Sequence, residues 1–293
     1  MSRQLAPVLS DAKHKGQAGR IGVFGGSLEY TGAPYFSAIS ALKVGADLVH
    51  VFCCKEAAPV IKSYSPELIV HPLLDAEDAV DQIRPWLERL HVLLVGPGLG
   101  REEKTFAVIR NVIGIARDDG KPLVVDADGL YLISREPNLL ADFPAPGAIL
   151  TPNAMEFARL VKNDDPDAFG TTDANALLDN WGPNVTLIRK GAEDVVLDRA
   201  MSFKVTGGGS GRRCGGQGDL LGGALAVFFA WALQHKLDVD VPHDDRAMIA
   251  CYAACKLVRE CNARAFERCG RSMVASDMIE EIHGAFETHF ELK

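Results

Sequence analysis

Long hydrophobic runs and an excess of basic residues are both missing from this chain of 293 residues. Its most apolar stretch, 224–233, is too short to span a membrane and directly follows a glycine-rich turn. Asp and Glu outnumber Lys and Arg by 39 to 31, which leaves a formal charge of −8 and disfavours a general nucleic-acid-binding protein. An anionic small molecule remains an acceptable ligand, because backbone dipoles and a few cations bind phosphate within acidic proteins.

Cysteine pairs with CxxC spacing are also missing. The seven cysteines fit small core residues in a reducing compartment better than a metal or redox site. Cys251 and Cys255 lie four residues apart, which predicts that they share one buried helix face. The first 20 residues lack the apolar core of a secretory signal, so we expect a cytoplasmic protein and leave a mitochondrial form open. Residues 1–15 are predicted to be a flexible segment.

Short β-branched runs alternate with helical patterns through most of the chain. This alternation predicts βαβ units, a mostly parallel sheet and right-handed crossovers. A hairpin at 195–198 and 202–205 predicts an antiparallel edge, and 163–172 is polar enough for a surface loop. Because no linker or internal repeat is visible, we predict one α/β domain over residues 1–293. The other predicted strands are 21–24, 47–52, 68–71, 92–95, 123–125, 148–150 and 185–188, and the clearest helices are 34–44, 104–117, 220–234, 246–262 and 276–286.

Glycine and polar residues follow five successive predicted strands. The segments are GGS at 25–27, GPGLGR at 96–101, DADG at 126–129, TPNAMEF at 151–157 and RKG at 189–191. Any one of them would be an ordinary turn or helix cap. Ligands bind at the carboxyl ends of strands in open parallel sheets, so five such segments together predict a cleft.

The segment GGGSGRRCGGQGDLLGG at 207–223 carries the most specific signal. Gly215, Gly216 and Gly218 permit close approach of backbone N–H groups to a phosphate, and an apolar helix starts directly afterwards. Arg212 and Arg213 add positive charge for an anion. The pattern is not a Walker A loop, since GxxxxGK[ST] is absent, and GPGLGR lacks the third glycine of a Rossmann fingerprint.

Asp219 falls in the first turn of that helix. It could simply be an acidic residue favoured by the helix dipole. The neighbouring glycines and arginines would be superfluous for that role, so we favour a general base that takes a proton from an attacking hydroxyl. The residues alone leave three activities open: a kinase that releases a phosphoester, an enzyme that eliminates the phosphate, and a non-catalytic nucleotide-binding protein.

Taken together, the motifs resemble the ATP-dependent (S)-NAD(P)H-hydrate dehydratase family of the ribokinase-like superfamily. The resemblance runs from about Lys15 to the C-terminal helix and includes GGSLEYTGAPYFSA, DADGL, RKGAED and the segment that contains Asp219. It implies a three-layer αβα sandwich with a mostly parallel central sheet. It also implies dehydration of the S-epimer of hydrated NADH or NADPH, as nicotinamide cofactor repair, with ATP (ADP in many bacterial relatives) and Mg²⁺. A small-molecule hydroxyl kinase of the same superfamily is the alternative.

The resemblance assigns the site residue by residue. Substrate contacts are implied for Gly98, Asn153, Ala154, Met155, Glu156, Phe157, Ala158, Arg159 and Asp219. Nucleotide contacts are implied for Lys190, Gly191, Ala192, Glu193, Asp194, Gly209, Ser210, Gly211, Arg212, Arg213, Cys214, Gly215, Gly216, Gln217 and Gly218.

In this interpretation Asp219 lies between ATP and the hydrate hydroxyl, facing a wall built by GPGLGR and NAMEFAR. Asn153 could in addition cap a helix after Thr-Pro. The expected partners are the hydrated dinucleotide and, functionally, an NAD(P)H-hydrate epimerase, with no nucleic acid and no membrane. The Mg²⁺ ligands are not assigned, and a homo-oligomer is left open.

Overall fold

The computed structural model describes residues 5–9, 11, 14–162, 171–234 and 246–290. Its strands form one sheet in the order β3-β2-β1-β4-β5-β6-β7-β8-β9. Neighbours from β3 to β7 pair in parallel, whereas β8 and β9 pair antiparallel at one edge. The strands are β1 (Arg20–Phe24), β2 (Leu48–Cys53), β3 (Ile69–Pro72), β4 (Val92–Val95), β5 (Leu123–Val125), β6 (Ala148–Leu150), β7 (Val185–Arg189), β8 (Asp194–Leu197) and β9 (Ser202–Val205).

Helices cover both faces of the sheet. They are α1 (Gly32–Val44), α2 (Ala58–Tyr64), α3 (Ala79–Leu87), α4 (Glu103–Asp118), α5 (Ala127–Arg135), α6 (Ala154–Val161), α7 (Thr171–Trp181), α8 (Gln217–Gln234), α9 (Arg246–Cys269), α10 (Ala275–Glu280) and α11 (Ile282–His289). One core lies between the sheet and α1, α8 and α9, and a second lies between the sheet and α3 to α7. The predicted three-layer α/β fold is confirmed.

Continuous apolar runs explain why the central strands are covered on both sides. All four residues of β4 are buried, with Val92 and Leu94 in one core and Leu93 and Val95 in the other. Such runs are typical of parallel strands between two helical layers. The predicted bounds of β4, β5, β6 and β9 agree with the structure, and those of the remaining strands differ by one residue at one or both ends.

Helix α8 lies inside one of these layers. Every residue from Leu220 to Ala232 is buried, and Gly223 brings the helix against α1, where an added Cβ would lie 2.0 Å from the carbonyl oxygen of Ser37. Within the part of the chain that the structure describes, no helix combines the length and apolar character needed to cross a membrane.

Some helix bounds depart from the predictions. Helix α9 continues to Cys269, and the predicted helix 276–286 is divided into α10 and α11 at Glu281. Of the predicted loop 163–172, residues 163–170 lie outside the described residues and the last two belong to α7. Several residues before Lys15 are also outside them, whereas Leu5 is fully buried in the core. Cys251 and Cys255 are both buried on α9, as predicted.

The order of the strands creates a crevice between β1 and β4. The chain moves from β1 outward to β3 and then returns to β4 on the other side of β1, so the connections after β1 and β4 diverge. Ligands of open α/β sheets bind at such switch points. Here Gly25 approaches Pro97 so closely that an added Cβ would lie 2.0 Å from its carbonyl oxygen.

Candidate active site

Three neighbouring strands bring their carboxyl-terminal residues to one side of the sheet. Asp126 follows β5, Thr151 follows β6 and Lys190 follows β7. Asp126 is 2% exposed, and its Oδ1 accepts hydrogen bonds from Lys190 Nζ and from Thr151 Oγ1, each at 2.8 Å. The contact between Lys190 and Asp126 joins segments 64 residues apart, which meet because parallel strands end at the same edge of the sheet.

Glu156 adds a third charged group to this cluster. Its Oε2 lies 3.7 Å from Lys190 Nζ and accepts a hydrogen bond from Asn153 N at 2.8 Å. Asn153 Oδ1 in turn accepts from Glu156 N, so the two residues form a capping box at the start of α6. The predicted cap at Asn153 is confirmed, and it fixes the carboxylate of Glu156 toward Lys190.

Charge balance determines the protonation of Lys190 and Glu156. Burial alone would lower the pKa of Lys190, but Asp126 and Glu156 raise it above its usual value and keep the ammonium charged. For Glu156, burial raises the pKa, and Lys190 opposes that effect. The ammonium group of Lys190 is therefore shared by the carboxyl groups of Asp126 and Glu156.

The glycine-rich turn places the start of α8 beside that cation. Gly216 has φ of +91°, and a Cβ there would lie 2.6 Å from Cβ of Ala275. A Cβ on Gly218 would lie 3.2 Å from Lys190 Nζ. A side chain is thus excluded at Gly216 and would crowd Lys190 at Gly218, so glycine at both positions leaves the backbone N–H groups of the first turn accessible to an anion.

Asp219, in this first turn, is a partly buried carboxyl group. Its pKa is raised to about 8, first because burial disfavours the charged form and then because Asp126 repels it; Lys190 partly opposes the shift. A carboxyl group with a pKa near neutrality is a stronger base once ionised than an ordinary surface aspartate.

Helix α9 supplies a further wall that the sequence analysis did not identify. Arg259 donates through Nε to Gly207 O at 2.8 Å and through NH2 to Ala192 O at 2.7 Å, and its NH1 pairs with Asp194 at 3.3 Å. It therefore fastens the loop after β7 to the glycine-rich segment. Asn262, one turn further on, accepts from Ser210 Oγ at 2.7 Å. Neither residue lies near these loops in the sequence, so only the fold reveals the contacts.

Two cavities meet at Asp219. The smaller, of about 410 Å³, is lined by Lys190, Gly191, Asp194, Gly209, Arg213 and Gly218, together with residues of α9. The larger, of about 980 Å³, lies at the crevice between β1 and β4 and includes Ser27, Tyr30, Gly98 and Arg101. Ala127 and Asp219 belong to both linings, so a group bound in either cavity can approach this carboxyl.

The predicted nucleotide residues fall mainly around the smaller cavity. Cys214 and Gln217 also line it, whereas Glu193 pairs with Lys204 at the surface. Arg212 donates to the carbonyl oxygens of Met273 and Arg213 and so holds the loop together. Of the remaining predicted residues, Gly211 and Gly215 are exposed.

The predicted substrate residues are divided between the cavities. Gly98 lines the larger one, and its φ of +60° and close approach to Tyr30 O require glycine. Asn153 and Glu156 line the smaller cavity with Lys190, whereas Arg159, at the end of NAMEFAR, shares the ring of Tyr131 with Arg101, at the end of GPGLGR. Phe157 and Ala158 are buried, Met155 is exposed, and Ala154 is partly exposed.

Comparison with known proteins identifies the family. A family model described as NAD(P)H-hydrate dehydratase matches residues 21–283. The chain belongs to the NAD(P)H-hydrate dehydratase family. Among similar members of this family, the ATP-dependent (S)-NAD(P)H-hydrate dehydratase of Aedes aegypti is 55% identical over 294 residues, covering 100% of this chain and 85% of the mosquito protein. The enzyme of the same name from Danio rerio is 49% identical, covering 99% and 88%.

Solved structures agree with the fold expected for an NAD(P)H-hydrate dehydratase. A hypothetical protein of Streptococcus mutans superposes with a TM-score of 0.81 at 22% identity, covering 99% of this chain and 98% of its own. The ADP/ATP-dependent NAD(P)H-hydrate dehydratase of Bacillus subtilis, co-crystallised with ATP and Mg²⁺, gives 0.72 at 19% identity, covering 98% and 96%. A ribokinase-like superfamily protein of Enterococcus faecalis gives 0.78 at 19% identity, covering 100% and 96%, which confirms the ribokinase-like fold.

Proposed function

We propose that this protein catalyses the ATP-dependent dehydration of (S)-NAD(P)H-hydrate to NAD(P)H, a lyase reaction that also yields ADP and phosphate. The observation that carries the proposal is the position of Asp219 at the boundary of two cavities. The smaller cavity combines a helix N-terminus, glycines and Lys190, which suits a triphosphate. The larger cavity has room for a dinucleotide.

The reaction begins with proton removal from the hydrate hydroxyl by Asp219. The hydroxyl oxygen then forms a bond to the γ-phosphorus of ATP, and the bond between that phosphorus and the leaving ADP oxygen breaks. Lys190 and the N–H groups at the start of α8 stabilise the negative charge that is transferred. The bond between the ring carbon and the phosphate oxygen then breaks, and phosphate leaves with the bonding electrons. The neighbouring ring carbon loses a proton to solvent, which restores the double bond of the reduced nicotinamide.

The residues around the smaller cavity fit Mg²⁺ bound together with a nucleotide. Within the described ranges no three His, Cys, Asp or Glu side chains are arranged to hold a metal by themselves. Mg²⁺ at phosphoryl-transfer sites usually takes one or two carboxylates together with phosphate oxygens. Carboxylates on the cavity wall, Glu156 and Asp194 among them, would hold it together with the phosphate oxygens. When bound, Mg²⁺ neutralises charge on the phosphates.

The direct test supplies ATP, Mg²⁺ and hydrated NADH and follows the recovery of reduced-nicotinamide absorbance. Wild-type protein should restore the absorbance and release one phosphate for each molecule repaired. Asp219→Asn should reduce turnover by roughly 10²–10⁴-fold with nucleotide affinity retained, because a general base contributes about that factor. Asp118→Asn, at the exposed end of α4, is the control. Failure to restore absorbance, with phosphate transferred to an alcohol instead, would identify a hydroxyl kinase.

A cytoplasmic location and a functional pairing with an NAD(P)H-hydrate epimerase stay predictions from the sequence, which also leaves a homo-oligomer open.

A further inference from the structure

Two arginine side chains share the aromatic ring of Tyr131 beside the larger cavity. The guanidinium carbon of Arg101 lies 4.1 Å from the ring centroid, and that of Arg159 lies 5.6 Å from it. The Arg101 side chain is 56% exposed and lines the cavity. Cation–π contact favours each guanidinium over the ring, and the pair concentrates positive charge in an acidic protein.

Asp128 holds Arg101 in place without using its outer nitrogens. Arg101 Nε donates to Asp128 Oδ1 at 3.1 Å, and Gly100 N donates to Asp128 Oδ2 at 3.1 Å. Among the described residues, neither terminal nitrogen of Arg101 has a hydrogen-bond partner in the protein. The planar donor fork is therefore fixed in orientation and still open to an oxyanion, which is the arrangement that bidentate phosphate binding requires.

The rest of the larger cavity would repel an anion. Carboxylates line it at Glu29, Glu56, Asp75, Glu102, Asp128 and Asp219, whereas its cations are Arg101 and Lys104. A dinucleotide carries phosphates in addition to its sugars and bases. The sugars can hydrogen-bond to carboxylates, but the phosphates need a cationic position.

We propose that Arg101 binds a phosphate group of the dinucleotide substrate, with Asp128 and Tyr131 as positioning residues. The proposal rests on the function proposed above and adds a specificity-determining contact to it. The phosphate comes from one of two sources, namely the pyrophosphate bridge present in both substrates or the 2′-phosphate that only hydrated NADPH carries.

The test compares Arg101→Gln with wild-type protein on hydrated NADH and hydrated NADPH. Loss of a charge-assisted hydrogen bond should raise KM by roughly ten-fold or more while kcat changes much less. An increase with both substrates identifies the pyrophosphate, and an increase with hydrated NADPH alone identifies the 2′-phosphate. Unchanged KM values for both substrates would overturn the proposal.

Arg199→Gln is the matched control, because Arg199 also pairs through Nε with an aspartate Oδ1 at 3.1 Å but lies on the surface near β9. It should leave both KM values unchanged. Arg101→Lys should recover little of the affinity, since an ammonium group keeps the charge but lacks the planar fork. For Tyr131, the phenylalanine variant should retain the low KM and the leucine variant should lose it.

Binding measurements separate this proposal from the proposed function. Equilibrium dialysis with intact NADPH requires no turnover, and wild-type protein should bind it roughly ten-fold more tightly than Arg101→Gln. If wild-type protein shows this difference but does not dehydrate hydrated NADPH, the proposed function fails and the phosphate site stands. If both proteins bind NADPH equally, the phosphate site fails.

Discussion

At the scale of single residues, the active site depends on several carboxyl groups sharing one cation. Asp126 and Glu156 both lie within 4 Å of Lys190 Nζ, and both raise the pKa of Asp219. Asp126 was recognised in the sequence only as a strand-end residue. Its interaction with Lys190 joins two strands that are not consecutive in the chain, so no local pattern could reveal it.

The raised pKa of Asp219 leads to a prediction about pH. Asp219 must be ionised to act as a base, so kcat/KM should fall as pH decreases below about 8. Asp126→Asn removes a neighbouring negative charge and therefore lowers the pKa of Asp219, which should move this acidic limb to lower pH by roughly one unit. When both ligands are kept below their KM values, the pH dependence of the rate reports the pKa of Asp219 in the free protein.

Thr151→Val is the control for this variant, because it removes a hydrogen bond to Asp126 but keeps the carboxylate charge. Its pH profile should stay close to that of wild-type protein. If Asp126→Asn moves the limb to higher pH, the repulsion between Asp126 and Asp219 is not what sets the profile.

At the scale of elements, the sequence located the glycine-rich turn and the helix after it, although α8 begins at Gln217, three residues before the predicted start. Glycine spacing and helix-start signals are local, and so is the capping box of α6. The wall contributed by α9 is different. Arg259 and Asn262 lie within an amphipathic helix pattern, and their function comes from contacts to loops more than 50 residues away.

The prediction at this scale concerns Gly216, in the turn directly before α8. Gly216→Val forces a β-branched residue into positive φ and against Ala275, so the turn must shift. We expect ATP affinity, measured by titration calorimetry, to fall at least ten-fold, because the backbone donors no longer converge on the phosphates.

Gly114→Ala is the comparison variant, since an added Cβ in α4 meets no atom within 4 Å. Thermal melts must show that both variants fold. Retained ATP affinity in a folded Gly216→Val protein would argue against this turn as the phosphate site.

At the scale of the whole molecule, the pattern of alternating strands and helices was sufficient to predict the layers and the antiparallel edge. It could not predict how the lining residues would be distributed between the two cavities. GPGLGR lies at the switch point after β4, whereas Asn153 and Glu156 follow β6, two strands further along the sheet. Strand order depends on the packing of the complete chain, and this order separates the two cavities.

Nucleotide binding should stabilise the whole fold. MgATP at about 100 times its Kd adds roughly 2.7 kcal/mol to the free energy of unfolding, which should raise Tm by roughly 5 °C. Chelation of Mg²⁺ with ATP still present should remove much of the increase. Mg²⁺ alone is the control and should have little effect, because the described residues offer no three-ligand metal site. If Mg²⁺ alone raised Tm as much as MgATP does, the metal would be held by the protein and not mainly by the phosphates.

The placement of Asp219 at the junction of the two cavities also affects how the protein treats its own product. Intact NADH differs from its hydrate by the missing water, so it offers no hydroxyl group to this carboxyl. A partly buried polar group left without its partner costs about 1–3 kcal/mol. Product inhibition should therefore be weak, and the rare damaged cofactor can be processed in the presence of its undamaged form.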